Sequence, residues 1–293
     1  MQYRHWAWVV ALPLLTGIAT AALQEGRTTR AEAPDPVVKR DVEQTKLFCS
    51  KASEVIGREV RNRSGEKLGK VEELVIDPAS GSIEYAVISF GGFLGMGDKL
   101  FAVPSGVLET PEVTEKGPGT HFLFEVEKSR MEKAPGFDKD NWPDVRSASW
   151  RKVIDTFYGT PSTRAIDRNR EFRLCKASEV IGQVVADPKY VEIGEIRELV
   201  LDPHLGRVSY VVLDADGAFS PGISVFAIPW PALEVETKDG KDTPILDVTR
   251  ERLEKAPRFV AEEQGRTWDP VWLSKVYRHY GVRPYWEVAG PGE

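Results

Sequence analysis

The chain has 293 residues, 41% of them hydrophobic and 29% charged, a globular balance that excludes collagen-like, wholly disordered and polytopic membrane classes. A formal net charge of -6 and an isoelectric point near 5.5 argue against nucleic acid as a partner, since gripping phosphates requires clustered Lys and Arg.

The N-terminus reads as an export signal over residues 1–22. Arg4 supplies a positive flank, residues 6–18 form an apolar run, and Ala19, Thr20, Ala21 and Ala22 offer small residues for cleavage near Ala21 or Ala22. The expectation is a periplasmic or secreted protein. The alternative is an uncleaved helix, because residues 6–23 are just long enough to cross a bilayer. Only then is a membrane partner expected. No Cys follows the apolar run, so a lipid anchor is not supported. Residues 23–46 are polar, contain Pro34 and Pro36, and lack a hydrophobic period, which predicts a flexible linker.

A duplication follows. KASEVIG at 51–57 returns letter for letter at 176–182, a shift of about 125. At that shift Gly69 meets Gly194, Glu73 meets Glu198, Asp77 and Pro78 meet Asp202 and Pro203, Gly81 meets Gly206, and Tyr85 meets Tyr210. About 24 of 59 aligned positions are identical. A three-residue deletion then moves the shift to about 122, where EKAP at 132–135 meets residues 254–257, Trp150 meets Trp272, and Tyr158 meets Tyr280. The expected domains are repeat 1 with its extension at 47–159, a linker at 160–173, and repeat 2 with its extension and tail at 174–293.

Within repeat 1, VEELVID and IEYAVISF flank DPASG, the pattern of two strands joined by a tight turn. Further short strands are predicted at 99–103, 106–109 and 121–126. Beyond them the period changes. Trp150, Val153, Ile154 and Phe157 fall at helical spacing, with Ser147 or Ser149 as N-cap and Gly159 as stop. In repeat 2, Asp269 caps, Pro270 takes the first helical position and Gly281 ends the helix. Trp142, Trp150, Trp268, Trp272 and Trp286 lie in these extensions, where their expected task is to pin a helix over an open barrel end.

KASEVIG, LGKVEELVID, GSIEYAVISFGGFLGMGDK and FAVP together resemble the PRC-barrel family, named after the photosynthetic reaction centre H subunit and shared with the C-terminal domain of a ribosome maturation factor. The likeness covers about 46–127 and 174–248, and FDKDNWPD with its Trp-containing helix resembles the tail of stand-alone bacterial members. The resemblance implies a mainly β fold: two tandem small antiparallel barrels, each followed by a short helical extension. It also implies a role in protein contacts with no recognised catalytic residues.

Residue by residue, the chemistry is sparse. FDKDNWPD is only faintly like a calcium loop, lacking the central Gly and the bidentate Glu. His121, His204 and His279 stand in no metal-ligand spacing, and no nucleophile elbow is present. No enzyme, metal or cofactor is therefore expected, and the expected function is an interaction or scaffold module of the envelope. The alternatives are a small-ligand or glycan-binding protein using an inter-barrel cleft or the aromatic C-terminus, with Trp268, Trp272, Tyr277, Tyr280, Tyr285 and Trp286, and, if the N-terminal helix is uncleaved, a membrane-anchored subunit resembling the reaction centre H subunit. Phe93, Leu94 and Met96, in a glycine-rich connection, form the candidate interaction loop, answered in repeat 2 by Phe219 alone. Its partner is either an external protein or the other barrel. Cys49 and Cys175, the two cysteines of an exported chain, are the candidate disulfide.

Overall fold

A computed structural model of the chain describes residues 49–90, 99–110, 121–160, 174–215, 225–238, 240–257 and 269–288. The proposed signal and linker, 1–46, lie outside them. No helix among the described residues is long and apolar enough to cross a membrane.

Repeat 1 runs β1 (Ser50–Lys51), α1 (Ala52–Val55), β2 (Glu59–Arg61), β3 (Lys67–Asp77), β4 (Ser82–Phe90), β5 (Lys99–Pro104), β6 (Leu108–Glu109), β7 (His121–Phe124), α2 (Lys128–Met131), β8 (Gly136–Asp138) and α3 (Ala148–Tyr158). Repeat 2 runs β9 (Cys175–Lys176), α4 (Ala177–Val180), β10 (Val184–Ala186), β11 (Glu192–Asp202), β12 (Arg207–Asp214), β13 (Val225–Pro229), β14 (Leu233–Lys238), β15 (Lys241–Leu246), α5 (Arg250–Glu254), α6 (Pro270–Tyr280) and α7 (Tyr285–Val288). The predicted hairpin is β3–β4, and its copy is β11–β12. Both carry irregularities at matching places, between Val71 and Glu73 and between Ile196 and Glu198. The duplication therefore extends to backbone detail.

The strands are not purely antiparallel. β2 pairs parallel to β7, and β10 pairs parallel to β15. Nor are they two separate barrels. β4 meets β12 at Ser82 and Arg207, which joins both repeats into a single 15-stranded sheet, and the strand pairing does not close it. Side chains alternate across a sheet, and the alternation here sorts two kinds of core. Leu74, Ile76, Ala86, Ile88, Phe101 and Val103 enter one continuous cluster shared with Leu199, Leu201, Val211, Leu213, Phe226 and Ile228 of repeat 2. Their neighbours Val75, Tyr85, Val87, Leu100 and Ala102 face the other way, under Ile154 of α3.

In the extensions α3 and α6 thus cover the outer faces of the sheet, while Met131 of α2 and Leu253 of α5 enter the main core. The helix signals act as their residues require: the Ser147 side chain accepts the Trp150 amide, Asp269 accepts that of Val271, and Gly159 and Gly281 end α3 and α6 in left-handed conformation. Trp150 meets Tyr85 edge-on, and Trp272 meets Tyr210. An outer sheet face rich in Val and Tyr needs an apolar lid, and α3 and α6 supply it.

Candidate functional site

The two repeats exchange their first elements. β1 pairs with β11 of repeat 2, Ser50 opposite Leu201, and β9 pairs with β3 of repeat 1, Cys175 opposite Ile76. Each KASEVIG turn accordingly packs against the other repeat. The Ser53 amide and hydroxyl donate to the Glu198 carboxylate, and the Ser178 amide and hydroxyl donate to Glu73. The hairpin turns meet across the same axis: the Ile83 amide donates to the Gly206 carbonyl at 2.8 Å and the Val208 amide to that of Gly81 at 2.7 Å. Trp230, the counterpart of Ser105, lays its indole on Gly81, where a Cβ would sit 2.6 Å from the ring, and its Nε1–H donates to the Pro78 carbonyl at 2.9 Å.

This exchange separates the two cysteines. Cys175 is the equivalent of Ser50, not of Cys49, and lies on β9 with its thiol 3.7 Å from the Ile76 carbonyl. Cys49 is buried among Val200, Tyr210, Val276 and Tyr277. Both are free thiols, so the expected disulfide is absent: each cysteine precedes or opens a strand bound to the opposite repeat. Burial pushes both thiols up to about 12, with Asp202 adding to the rise at Cys49 and Glu179 at Cys175.

Two clefts open along the seam. The larger, about 650 Å³, lies at the mouth of the second repeat, where Glu179, Gln183, Tyr190, Trp230, Leu233 and Pro244 border it and Arg146 reaches in from repeat 1. Pro244 explains the opening. In repeat 1 the parallel ladder pairs Glu59 with His121, Val60 with Phe122 and Arg61 with Leu123. In repeat 2 only Ala186 with Ile245 remains, because Pro244, at the place of Phe122, has no amide hydrogen to donate. Tyr190 sits on the rim with φ 62°, where its counterpart Gly65 has φ 81°. A tyrosine in the left-handed region costs about 1–2 kcal/mol. Its hydroxyl donates to Glu236 at 2.6 Å, and the Lys238 ammonium lies 4.4 Å from its ring centre.

The smaller cleft, about 450 Å³, is bordered by Tyr85, Ser105, Arg151, Asp155, Pro203 and His204. There the Tyr85 hydroxyl donates to Asp155 at 3.1 Å, tying α3 to β4. Burial raises Asp155 above the ordinary carboxylate range, and the Tyr85 hydrogen bond and Arg151 draw it back.

The candidate interaction loop, Phe93, Leu94 and Met96, and its counterpart Phe219, lie outside the described residues. So does Trp268. The rest of the aromatic C-terminus packs inward: Tyr277, Tyr285 and Trp286 are buried against one another, the Tyr277 hydroxyl donates to the Ser209 carbonyl at 2.5 Å, and that of Tyr285 to Asp202 at 3.0 Å. Trp272 and Tyr280 remain partly exposed. FDKDNWPD becomes β8 and a turn, with the Phe137 and Trp142 rings tilted against each other at 5.0 Å, and no group of three or more His, Cys, Asp or Glu among the described residues is arranged to hold a metal ion. The cleft residues Gln183, Tyr190 and Pro244 carry no motif. Their signal is a difference between the copies, where Arg58, Gly65 and Phe122 stand in repeat 1.

The profile of the PRC-barrel domain family matches residues 50–116 and 175–253, one match in each repeat. No curated protein matches the chain.

Proposed function

Since this chain is a tandem PRC-barrel protein, we propose that it is a non-enzymatic interaction or scaffold module of the cell envelope, exported by its N-terminal segment and working in the periplasm. The observation that carries the reading is the rim of the second repeat. Val184, Tyr190 and Val235 border one cleft and are exposed, as is Val191 next to Tyr190, whose relative exposure reaches 60%. Apolar side chains gathered at one edge and ringed by Lys189, Glu192 and Glu236 have the composition of a docking patch with a polar margin. The fused sheet supports the same reading, because a patch held by strands of a shared core is already in its binding shape.

Two measurements test this. The protein isolated from a bacterial envelope should have a mature N-terminus at Ala22 or Leu23. Photo-crosslinking from position 191 should trap a protein partner, and Val235→Asp should remove that product while leaving the thermal midpoint within about 1 °C, as expected of an exposed site. Retention of Met1 in the membrane fraction would replace export with anchoring, and a crosslink indifferent to Val235→Asp would move the docking surface elsewhere.

A further inference from the structure

Repeat 1 shows what the second-repeat cleft lacks. There the half-buried Arg58 guanidinium lies over the Phe122 ring at 5.4 Å, where burial lowers its pKa and the charge of Glu54 offsets part of that. In repeat 2 the acid is kept as Glu179, while Arg58 becomes Gln183 and Phe122 becomes Pro244. The register fixes these equivalences: Val60 pairs with Gly69 as Val185 pairs with Gly194, and Leu108 pairs with Phe124 as Leu233 pairs with Leu246. Where the first copy places a flat ring beneath a cation, the second has a cavity of about 650 Å³ bordered by Glu179, Gln183 and Pro244. That volume is within the range of small-molecule sites.

From this vacancy we propose that the cleft is a binding site for a small organic cation with an aromatic body, an arylamidine or arylalkylamine, whose ring takes the place of Phe122 and whose charge takes the place of Arg58. The other charges at the cleft agree with a monovalent guest. Asp242 is answered by Arg146 at 3.9 Å and Glu179 is shared with Lys176 at 3.3 Å, and Glu192 and Lys241 both border the cleft. Tyr190 supplies the independent observation. The same turn in repeat 1 uses Gly65, and side chains in left-handed backbone persist where the side chain serves a site. Its ring already accepts one cation, Lys238, and a ring that attracts an ammonium attracts an amidinium equally. The site shares Tyr190 with the proposed docking rim, and a small guest bound by the isolated protein tests it apart from any docked protein.

The test is titration of the full mature chain with benzamidine, followed by the fluorescence of Trp230 and by calorimetry, beside benzoate, which has the same ring and the opposite charge. Saturable binding of benzamidine with at least a tenfold preference over benzoate is expected. The double variant Gln183→Arg/Pro244→Phe rebuilds the first-repeat pair and should weaken benzamidine at least tenfold while the protein stays folded. Tyr190→Gly should weaken it several-fold without lowering the thermal midpoint. Equal binding of benzoate, no saturable binding, or a filled-in variant that binds as well as the parent would overturn the proposal. Should the double variant fail to fold, Tyr190→Gly decides: binding weakened several-fold places the guest against Tyr190, and unchanged binding overturns the proposal, whatever the midpoint does.

Discussion

At the scale of single residues, the Ser147 and Asp269 side chains each accept an amide from the first turn of their own helix. Ser147, Asp269, Gly159 and Gly281 act within one turn of their own helices, so their roles follow from near neighbours in the sequence. Cys49 and Cys175 needed tertiary knowledge, because near-equivalent places in two repeats become distant places once the opening strands are exchanged. Their burial has a measurable consequence. With both thiols raised from 9.0 to about 12, the folded protein holds its thiol protons at a pH where the unfolded chain releases them. This contribution to stability is whole below about pH 9 and is lost as the pH rises towards 12. Native protein at pH 8 should therefore react with iodoacetamide far more slowly than unfolded protein, and the unfolded, unreduced chain should titrate two thiols. A count of zero would restore the disulfide.

At the scale of elements, hairpins could be read from alternation and turn chemistry, whereas the exchange of β1 and β9 could not. KASEVIG is identical in both copies, so nothing in its letters tells α1 to pack on β11 and α4 on β3. The exchanged turns are held by equivalent carboxylates, which differ in burial. Glu73 is buried, and its oxygens accept from Ser178 and from the Leu74 amide at 2.9 Å; Glu198 accepts from Ser53 and the Leu199 amide but is only half-buried. Losing a buried acceptor costs about 1–3 kcal/mol, and less where water can replace it, as it can at the exposed Ser53 and Ser178 donors. Glu73→Ala should thus lower stability by about 2 kcal/mol in denaturant titration, and Glu198→Ala by about 1 kcal/mol or less. Equal losses would mean that the two exchanged turns are not held by these contacts. In the helical extensions the spacing announced α3, yet of its expected apolar face Ile154 is buried while Val153 is exposed, because what the helix covers depends on the outward row of Val75, Tyr85 and Val87, visible only once the strand faces are assigned.

At the scale of the whole molecule, the repeat boundary in the sequence does not coincide with a boundary in the packing. The main core contains Val60, Ile88 and Phe101 of repeat 1 together with Val185, Leu213 and Phe226 of repeat 2 as one cluster. A tandem of independent domains would unfold in two steps, since each core could be lost alone. Here the loss of repeat 1 would strip β11 of its β1 partner and α1, and would expose the Trp230 indole seated on Gly81. The loss of repeat 2 would do the same to β3 through β9 and α4. Neither half retains a complete set of strand partners, so both should melt together. A single calorimetric transition is expected, with van't Hoff and calorimetric enthalpies equal, as for one cooperative unit. Trp230→Ala sharpens the test because it removes a large buried side chain at the seam, at a cost of about 3–5 kcal/mol. In a fused molecule that cost falls on the entire transition, which should move down in temperature without dividing. In a pair of separate barrels it would fall on one of two transitions and leave the other in place, and that outcome would return the chain to two independent domains.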